Sequence, residues 1–597
     1  MPLSKPSQQL PDSAKSGVSL ALFSIYSKES QGIGDFSDLK LAIDWVVSCG
    51  NSILQLLPMN EVGPVFCPYD SLSSFALEPS YLSFSWFPAA RDKNIQAALK
   101  NLRKSFPLPR ARLDYSLRKE RLKLLRQVYE LDKEKSSAVF FNFQSENSYW
   151  LPDFCLYKVL KEIHNALPWY EWEDKYRSRD PRVLLEVKNS YAKELDFQAW
   201  LQWRLYEQFK VVRAYARVKN ILLKGDQPFL VSRDSADVWQ HPDFFKLDFA
   251  AGAPPDMYCA KGQRWGMPTH NWHNIEADGF RYLKEKLKYA GNFYDILRID
   301  HVVGLFRIWS IPYNEPLENK GLNGFFDPRD EKEWAQHGRN ILSVLLNNTS
   351  MLLCAEDLGV IPKACTASLQ EFAIPGNEVQ RWVKEWKVKH DFLDSQEYRA
   401  ISVAMLSTHD TTNWPAWWEN EAGTVDEDLF QRKCHERHIN FSEIKSRLFD
   451  PERSKHGRLR WKEEIESIDK LLWNLGGKKE ELPELIDLYQ NSFHEKEKLW
   501  KQMQLKGPMR EKSDKDIVRE ALKITLNSSA LFCINTIVDW LYLADIFKGD
   551  PYEYRINTPG IISDKNWSLV IPISLDELLK HRLNRQIKEL VLASDRR

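Results

Sequence analysis

The chain carries no excess of charge of either sign. Its 597 residues include 83 Lys+Arg and 83 Asp+Glu, so no basic field points to nucleic acid or to an anionic membrane surface. It holds no stretch of about eighteen apolar residues, the length that reads as a bilayer-crossing helix. The run Gly17-Val18-Ser19-Leu20-Ala21-Leu22-Phe23 faintly mimics a signal peptide. It is short, begins late and passes into Ser27-Lys28-Glu29 without a small-residue cleavage site. The eight cysteines show no C-x-x-C spacing, which speaks against a disulfide frame and for free thiols in a reducing compartment. These absences predict a cytoplasmic protein without nucleic-acid or membrane partners. Gly32-Ile33-Gly34-Asp35 lacks the third glycine of a dinucleotide fingerprint. Cys434-His435-Glu436-Arg437-His438 could offer metal ligands, but nothing nearby completes a site, and a solvated helix face accounts for it. Neither a metal nor an organic cofactor is expected.

What the chain has in plenty is aromatic surface. The 22 Trp and 22 Tyr are either core or flat platforms for sugar rings, and composition alone does not separate the two. More telling is Asp295-Ile296-Leu297-Arg298-Ile299-Asp300-His301, an apolar run closed by charged residues. A buried parallel strand explains the apolar part. It does not explain the charges, because acidic residues are rarely buried without partners. Read alone, the stretch fits equally a strand end where Arg298 and Asp300 pair or meet solvent. Two further runs repeat the pattern: residues 351–359 end in Glu356-Asp357-Leu358-Gly359, and residues 403–410 end in Ser407-Thr408-His409-Asp410. Three strands ending in carboxylates at intervals of some fifty residues suit an α/β fold of the (β/α)8 TIM-barrel type, whose catalytic groups sit at the C-terminal strand ends. Paired carboxylates are the usual equipment of glycoside chemistry.

The remaining strands are expected at residues 18–24, 53–58, 228–231, near 379–383 and at 530–539, which places Asp226 at the beginning of the third. Residues 1–16 are polar, Ser/Pro-rich and expected to be disordered. From residue 17 onward the chain reads as one catalytic barrel domain, with mainly helical insertions at about 84–224 and 415–525. A closing helix is expected at 575–594.

At this point the motifs resemble a known family. Ile299-Asp300-His301, Ala355-Glu356-Asp357-Leu358-Gly359 and Thr408-His409-Asp410 look like the catalytic strand ends of the 4-α-glucanotransferases, glycoside hydrolase family 77, also called amylomaltases or disproportionating enzymes. Gln55-Leu56-Leu57-Pro58, Pro68-Tyr69, Gly225-Asp226, Gly262-Gln263-Arg264-Trp265-Gly266 and Asn566-Trp567 follow in the family's order. Ser27-Lys28-Glu29 with Phe75-Ala76-Leu77-Glu78-Pro79 is more similar to the branch of plant cytosolic disproportionating enzyme, whose characteristic glucosyl donor is maltose. Cys67, Asp70 and Met257 depart from the residues many members carry.

The resemblance implies a transferase that moves glucosyl or α-1,4-glucan segments from maltose, maltooligosaccharides or glycogen chains to the 4-hydroxyl of an acceptor, by retaining double displacement. It implies Asp300 as nucleophile, Glu356 as general acid/base and Asp410 as a third carboxylate that holds sugar hydroxyls. Arg298 would keep Asp300 ionised, and the Glu356 pKa would sit well above that of Asp300. His301, His409, Tyr69, Asp226, Tyr258, Gln263 and Trp265 would bind substrate. The loop at 250–272 would cover the site and favour a sugar acceptor over water. An α-glucan hydrolase, or a non-catalytic glucan-binding protein, would share the same barrel.

Overall fold

The structure is a computed structural model that describes residues 8–255 and 261–596. Eight parallel strands form one sheet: Lys15–Leu20, Ile53–Leu56, Leu222–Gln227, Ile296–Ile299, Leu352–Ala355, Gly376–Val379, Ser402–Met405 and Phe532–Thr536. Their spatial order is 5-4-3-2-1-8-7-6, so each strand lies beside its neighbours in sequence and the last pairs with the first. At the remaining seam between strands five and six, the Ala355 N–H donates to the Pro375 carbonyl at 2.8 Å. The result is the (β/α)8 barrel that the three carboxylate-ended runs imply.

Strand alternation sorts the side chains. Ile53, Ile296, Cys354, Val379, Phe532 and Ile534 form the apolar barrel interior. The alternate residues, among them Leu54, Leu297 and Leu353, pack outward into the large core shared with the helices. Helix Phe36–Ser48 shows how firmly such units are closed. Asp35 caps it by accepting from the Ser37 N–H at 2.8 Å, while Asp38 accepts from the Asp35 N–H at 2.9 Å.

Several boundaries differ from expectation, each for a local reason. The first strand begins at Lys15 and stops at Leu20, because Ser24 bonds back to the Ala21 carbonyl and turns Leu22–Ser24 into a buried helical turn. Of the segment 1–16, residues 8–16 are described, and Lys15 and Ser16 already belong to the first strand. Gln8 clasps the backbone of Leu353 from both ends of its amide and also donates to the Ala373 carbonyl. The third strand is Leu222–Gln227, and Asp226 stands near its end rather than its beginning. Residues 228–231 form a buried loop beyond it. The sixth strand ends where the expected one, near 379–383, would begin: it is Gly376–Val379, and Gln380–Trp382 is already a helical turn. The eighth ends at Thr536, whose hydroxyl caps the helix Ile537–Leu541. Between strands six and seven the described residues form no α-helix, only the helical turns Gln380–Trp382 and Ser395–Glu397 and a two-stranded hairpin, Lys384–Glu385 with Asp391–Phe392.

Between strands two and three run the helices Lys93–Ser105, Leu117–Leu131, Ala138–Glu146, Leu151–Ile163, Pro181–Ser190 and Ala192–Val218. The last one threads the insertion to the barrel. Its Gln202 and Gln208 amides each make paired bonds to the backbone of Leu77 and Ser83, which satisfies a buried loop. Between strands seven and eight the chain is not purely helical. It holds an antiparallel sheet of Thr424–Asp426, Arg458–Trp461 and Phe449–Lys455, and a small core of its own around Phe430, Phe449, Trp461 and Leu485. Cys434 faces that core while His435 and His438 are exposed. Tryptophan goes mainly to packing: Trp45, Trp150, Trp200, Trp203, Trp239, Trp414, Trp418 and Trp540 are fully buried.

Candidate active site

One residue past the fourth strand stands Asp300, and one past the fifth stands Glu356. Inward-facing Ile296 and Arg298 on the fourth strand, and Cys354 on the fifth, set the parity that aims both carboxylates at the barrel mouth. Asp357 falls on the other face. It accepts from the Asn377 N–H at 2.6 Å and pairs with Arg399 at 2.6 Å, fastening strand five to strand six.

Arg298 is the hub. Its Nη1 donates to Asp226 Oδ1 at 2.6 Å and to Asp300 Oδ1 at 2.9 Å. Asp226 and Arg298 are register partners on adjacent strands. Tyr69 completes the cluster by donating its hydroxyl to Asp226 Oδ2 at 2.7 Å. Glu356 is held differently, by two backbone N–H groups. The His301 N–H donates to its Oε2 at 2.8 Å and the Leu358 N–H to its Oε1 at 3.0 Å. His301 can aim that N–H because its backbone is left-handed, with φ at +42°, a conformation uncommon outside glycine.

Asp410 lies in the loop beyond the seventh strand. Asn557 donates to its Oδ1 at 2.7 Å, His409 Nε2 stands 3.4 Å from its Oδ2, and Arg555 donates to its backbone carbonyl at 2.9 Å. Tyr69 stacks on the His409 ring with centroids 4.9 Å apart, and Trp567 leans on both. Arg381 fixes the loop from below through Ser407 and Thr412. On the opposite wall Trp265 meets the His301 ring edge-on at 4.8 Å, its indole N–H bonded to Gln263 Oε1 at 3.0 Å. Tyr258 and Met257 lie outside the described residues.

The electrostatics separate the three carboxylates. Burial raises Asp300 to about 6; Arg298 opposes this, while Asp226 and Asp410 add to it. The expected effect of Arg298 is present but burial outweighs it. Burial likewise raises Glu356 to about 7, against Arg298 and with Asp300. Glu356 thus lies above Asp300, by a narrower margin than expected. The Asp410 side chain is 46% exposed. Burial there is outweighed by His409 and by the Asn557 bond, and its pKa falls to about 2. His409 is pulled down by burial and up, more strongly, by Asp410. His301 drops to about 4 through burial and the nearby Arg298 and Arg307, so its ring is neutral at pH 7.

Asn557, Arg555 and Arg381 were not anticipated, and no pattern in the chain marks them. Asn557 meets Asp410 across 147 residues. Trp567 stood in a family motif without an expected role.

A parallel (β/α)8 barrel with carboxylates beyond the C-terminal ends of three strands is an arrangement that suits a glycoside-active barrel protein. The family model described as 4-alpha-glucanotransferase, glycoside hydrolase family 77, matches residues 20–574. A 4-alpha-glucanotransferase of Chlamydia muridarum is 31% identical over 99% of this chain and 97% of its own length. One of Oryza sativa subsp. japonica is 26% identical, covering 68% of this chain and 58% of its own. The amylomaltase of Streptococcus agalactiae shares the fold with a TM-score of 0.70 at 20% identity, over 98% of this chain and 99% of that one. The chain belongs to the 4-alpha-glucanotransferase family, glycosyltransferases acting on α-1,4-glucans.

Proposed function

We propose that this chain transfers glucosyl or α-1,4-glucan segments from maltose or maltooligosaccharides to the 4-hydroxyl of an acceptor glucan or glucose, with retention. The observation that supports this most is the contrast between Asp300, held at one oxygen by Arg298, and Glu356, held at both by backbone N–H groups. Arg298 occupies Asp300 Oδ1, which leaves Oδ2 to attack the anomeric carbon. As that bond forms, the glycosidic bond breaks and Glu356 gives its proton to the leaving oxygen. The acceptor 4-hydroxyl then returns a proton to Glu356 while its oxygen displaces Asp300. An acid near neutrality and a nucleophile ionised below it suit this sequence.

Asp410, ionised and partly exposed, is placed to accept hydrogen bonds from sugar hydroxyls. Tyr69 holds Asp226, which holds Arg298, so these two act on the nucleophile through the hub. Trp265 with His301 forms a wall for a glucose unit, and Gln263 orients that indole. Tyr258 and Met257 belong to the expected acceptor-side loop, where a bound sugar gains over water by positioning. The seven described cysteines are all free, six of them buried, which supports action in a reducing compartment such as the cytoplasm. No helix among the described residues is long and apolar enough to cross a membrane.

The test is incubation with maltose and, separately, maltotriose, with products resolved by chain length and an Asp300→Asn control. A ladder of longer and shorter oligosaccharides, absent in the control, is expected. Glucose accumulating without longer products would assign the site to hydrolysis instead.

A further inference from the structure

The segment at 550–557 carries both side chains that hold Asp410: Asn557 on its carboxylate and Arg555 on its carbonyl. It also shapes itself around that task. Arg555 Nε donates to the Asn557 carbonyl at 2.5 Å, and the Asn557 N–H donates to the His409 carbonyl at 3.2 Å. The segment is irregular, with one helical turn at Pro551–Tyr554, and such a loop does not fix a side chain by itself. Two side chains from outside the barrel grip it, one from each insertion.

From the first insertion, Arg112 Nη1 donates to the carbonyls of Arg555 at 3.0 Å and Lys565 at 2.6 Å, and Nη2 donates to the carbonyl of Glu553. The backbone of Arg112 is anchored beside the same loop, since it bridges Leu569, and the Leu113 N–H meets the Ser568 carbonyl at 2.7 Å. From the second insertion, His456 lies at the tip of the hairpin between Phe449–Lys455 and Arg458–Trp461. Its ring stacks on Tyr552 with centroids 3.8 Å apart and planes within 3°. The Tyr552 hydroxyl stands 3.4 Å from Arg555 Nη1. His456 is exposed and adopts a left-handed backbone at φ +54°. Its subdomain has a separate core, so the stack contributes little to folding either body.

We propose that Arg112 and His456 are positioning residues that clamp the 550–557 segment between the two insertions and so fix Asn557 and Asp410 for the transfer step. This rests on the assignment of Asp410 to the reacting sugar. It gives the insertions a task in the known reaction: each lends one side chain to the third carboxylate.

The test uses the full chain with maltotriose and compares Arg112→Met, Arg112→Lys, His456→Ala, His456→Phe and Asp410→Asn. Small displacements of a site group cost rate steeply, so kcat is expected to fall about tenfold in R112M and about threefold in H456A, with KM within about twofold. H456F retains an aromatic face and is expected to restore kcat, while R112K, a single point charge in place of a fork, is not. A purely structural tie would instead lower the melting temperature and the folded yield, leaving kcat per folded molecule unchanged; that result overturns the clamp. Wild-type kcat in both R112M and H456A overturns it as well. An active D410N would instead remove the role of Asp410 itself, which separates the two failures.

Discussion

Two layers of the same barrel strands differ in what they do. On the fourth strand Ile296 packs in the apolar interior, Arg298 two residues on bridges two carboxylates, and Asp300 two further on reaches the mouth. On the third strand the inward face runs Leu222, Lys224, Asp226. One alternation thus supplies stability at the bottom and chemistry at the top, and the change from one to the other takes two residues. Barrel ends can bear charge because the partner lies across a strand gap and because the mouth is open to water.

The largest expected effects break this comparison at its two ends. Asp300→Asn removes the nucleophile and is expected to lower kcat/KM by on the order of 10⁴-fold. Its melting temperature should stay equal or rise, because the folded pKa of Asp300 lies above its ordinary value: the folded state binds the proton more tightly, and stability is lost as pH rises toward about 6. Ile296→Ala, four residues below, is expected to cost about 2–5 kcal/mol through the cavity it leaves, with kcat per folded molecule unchanged. Activity and thermal melts of both variants check this. Loss of stability in D300N, or of intrinsic kcat in I296A, would show that the layers are not separable.

Arg298 joins the layers and sharpens the contrast. The working form has Asp300 ionised and Glu356 protonated. Its population falls as pH drops through about 6 and again as pH rises through about 7, so kcat/KM should follow a narrow bell between these values, reported as properties of the pair. Arg298→Met removes the cation that lowers both groups, and both limbs should move to higher pH. A profile that keeps its acid limb in R298M would sink the account of the hub. The rate itself is expected to fall about 10²-fold, from loss of a preorganised charge. Tyr69→Phe is milder: it deletes one bond to Asp226 and keeps the ring on His409, and about a fivefold loss of kcat/KM is expected for one hydrogen bond.

The lower layer and the three carboxylate-ended runs were legible for the same reason, an apolar run that stops at polar and charged residues, although the last of them overran its strand, Ser402–Met405. The third strand was not. Its inward residues Lys224 and Asp226 are charged, Asp226 as a partner of Arg298, so Leu222–Gln227 has little of the apolar pattern, whereas Phe229-Leu230-Val231 mimics a strand and is a buried loop. Functional positions break local rules, and this strand was misplaced by that break. The sheet of the second insertion was missed because Phe449–Lys455 is mostly charged, with Phe449 its one buried residue. Asn557 and Arg381 were invisible for a different cause: they act across the fold, and nothing beside them in sequence records the partner.

The finest test sets two neighbours against each other. Glu356 and Asp357 are adjacent carboxylates on opposite faces of the chain, one at the mouth and one in the strand seam. Glu356→Gln should abolish transfer to an unactivated acceptor. Asp357→Asn retains an oxygen for the Asn377 N–H but loses the charge paired with Arg399, which Glu378 also neutralises through its own bond. The Asp357 side chain is only 2% exposed and that of Arg399 33%, so the remaining arginine can still reach water and its other partner. The loss should therefore be small, about 1 kcal/mol as for a single charged hydrogen bond with a surviving alternative, and kcat should stay within about twofold. A kcat in D357N as low as that of E356Q would mean that the seam between strands five and six, rather than the direction of the side chain, decides which of the two carboxylates takes part.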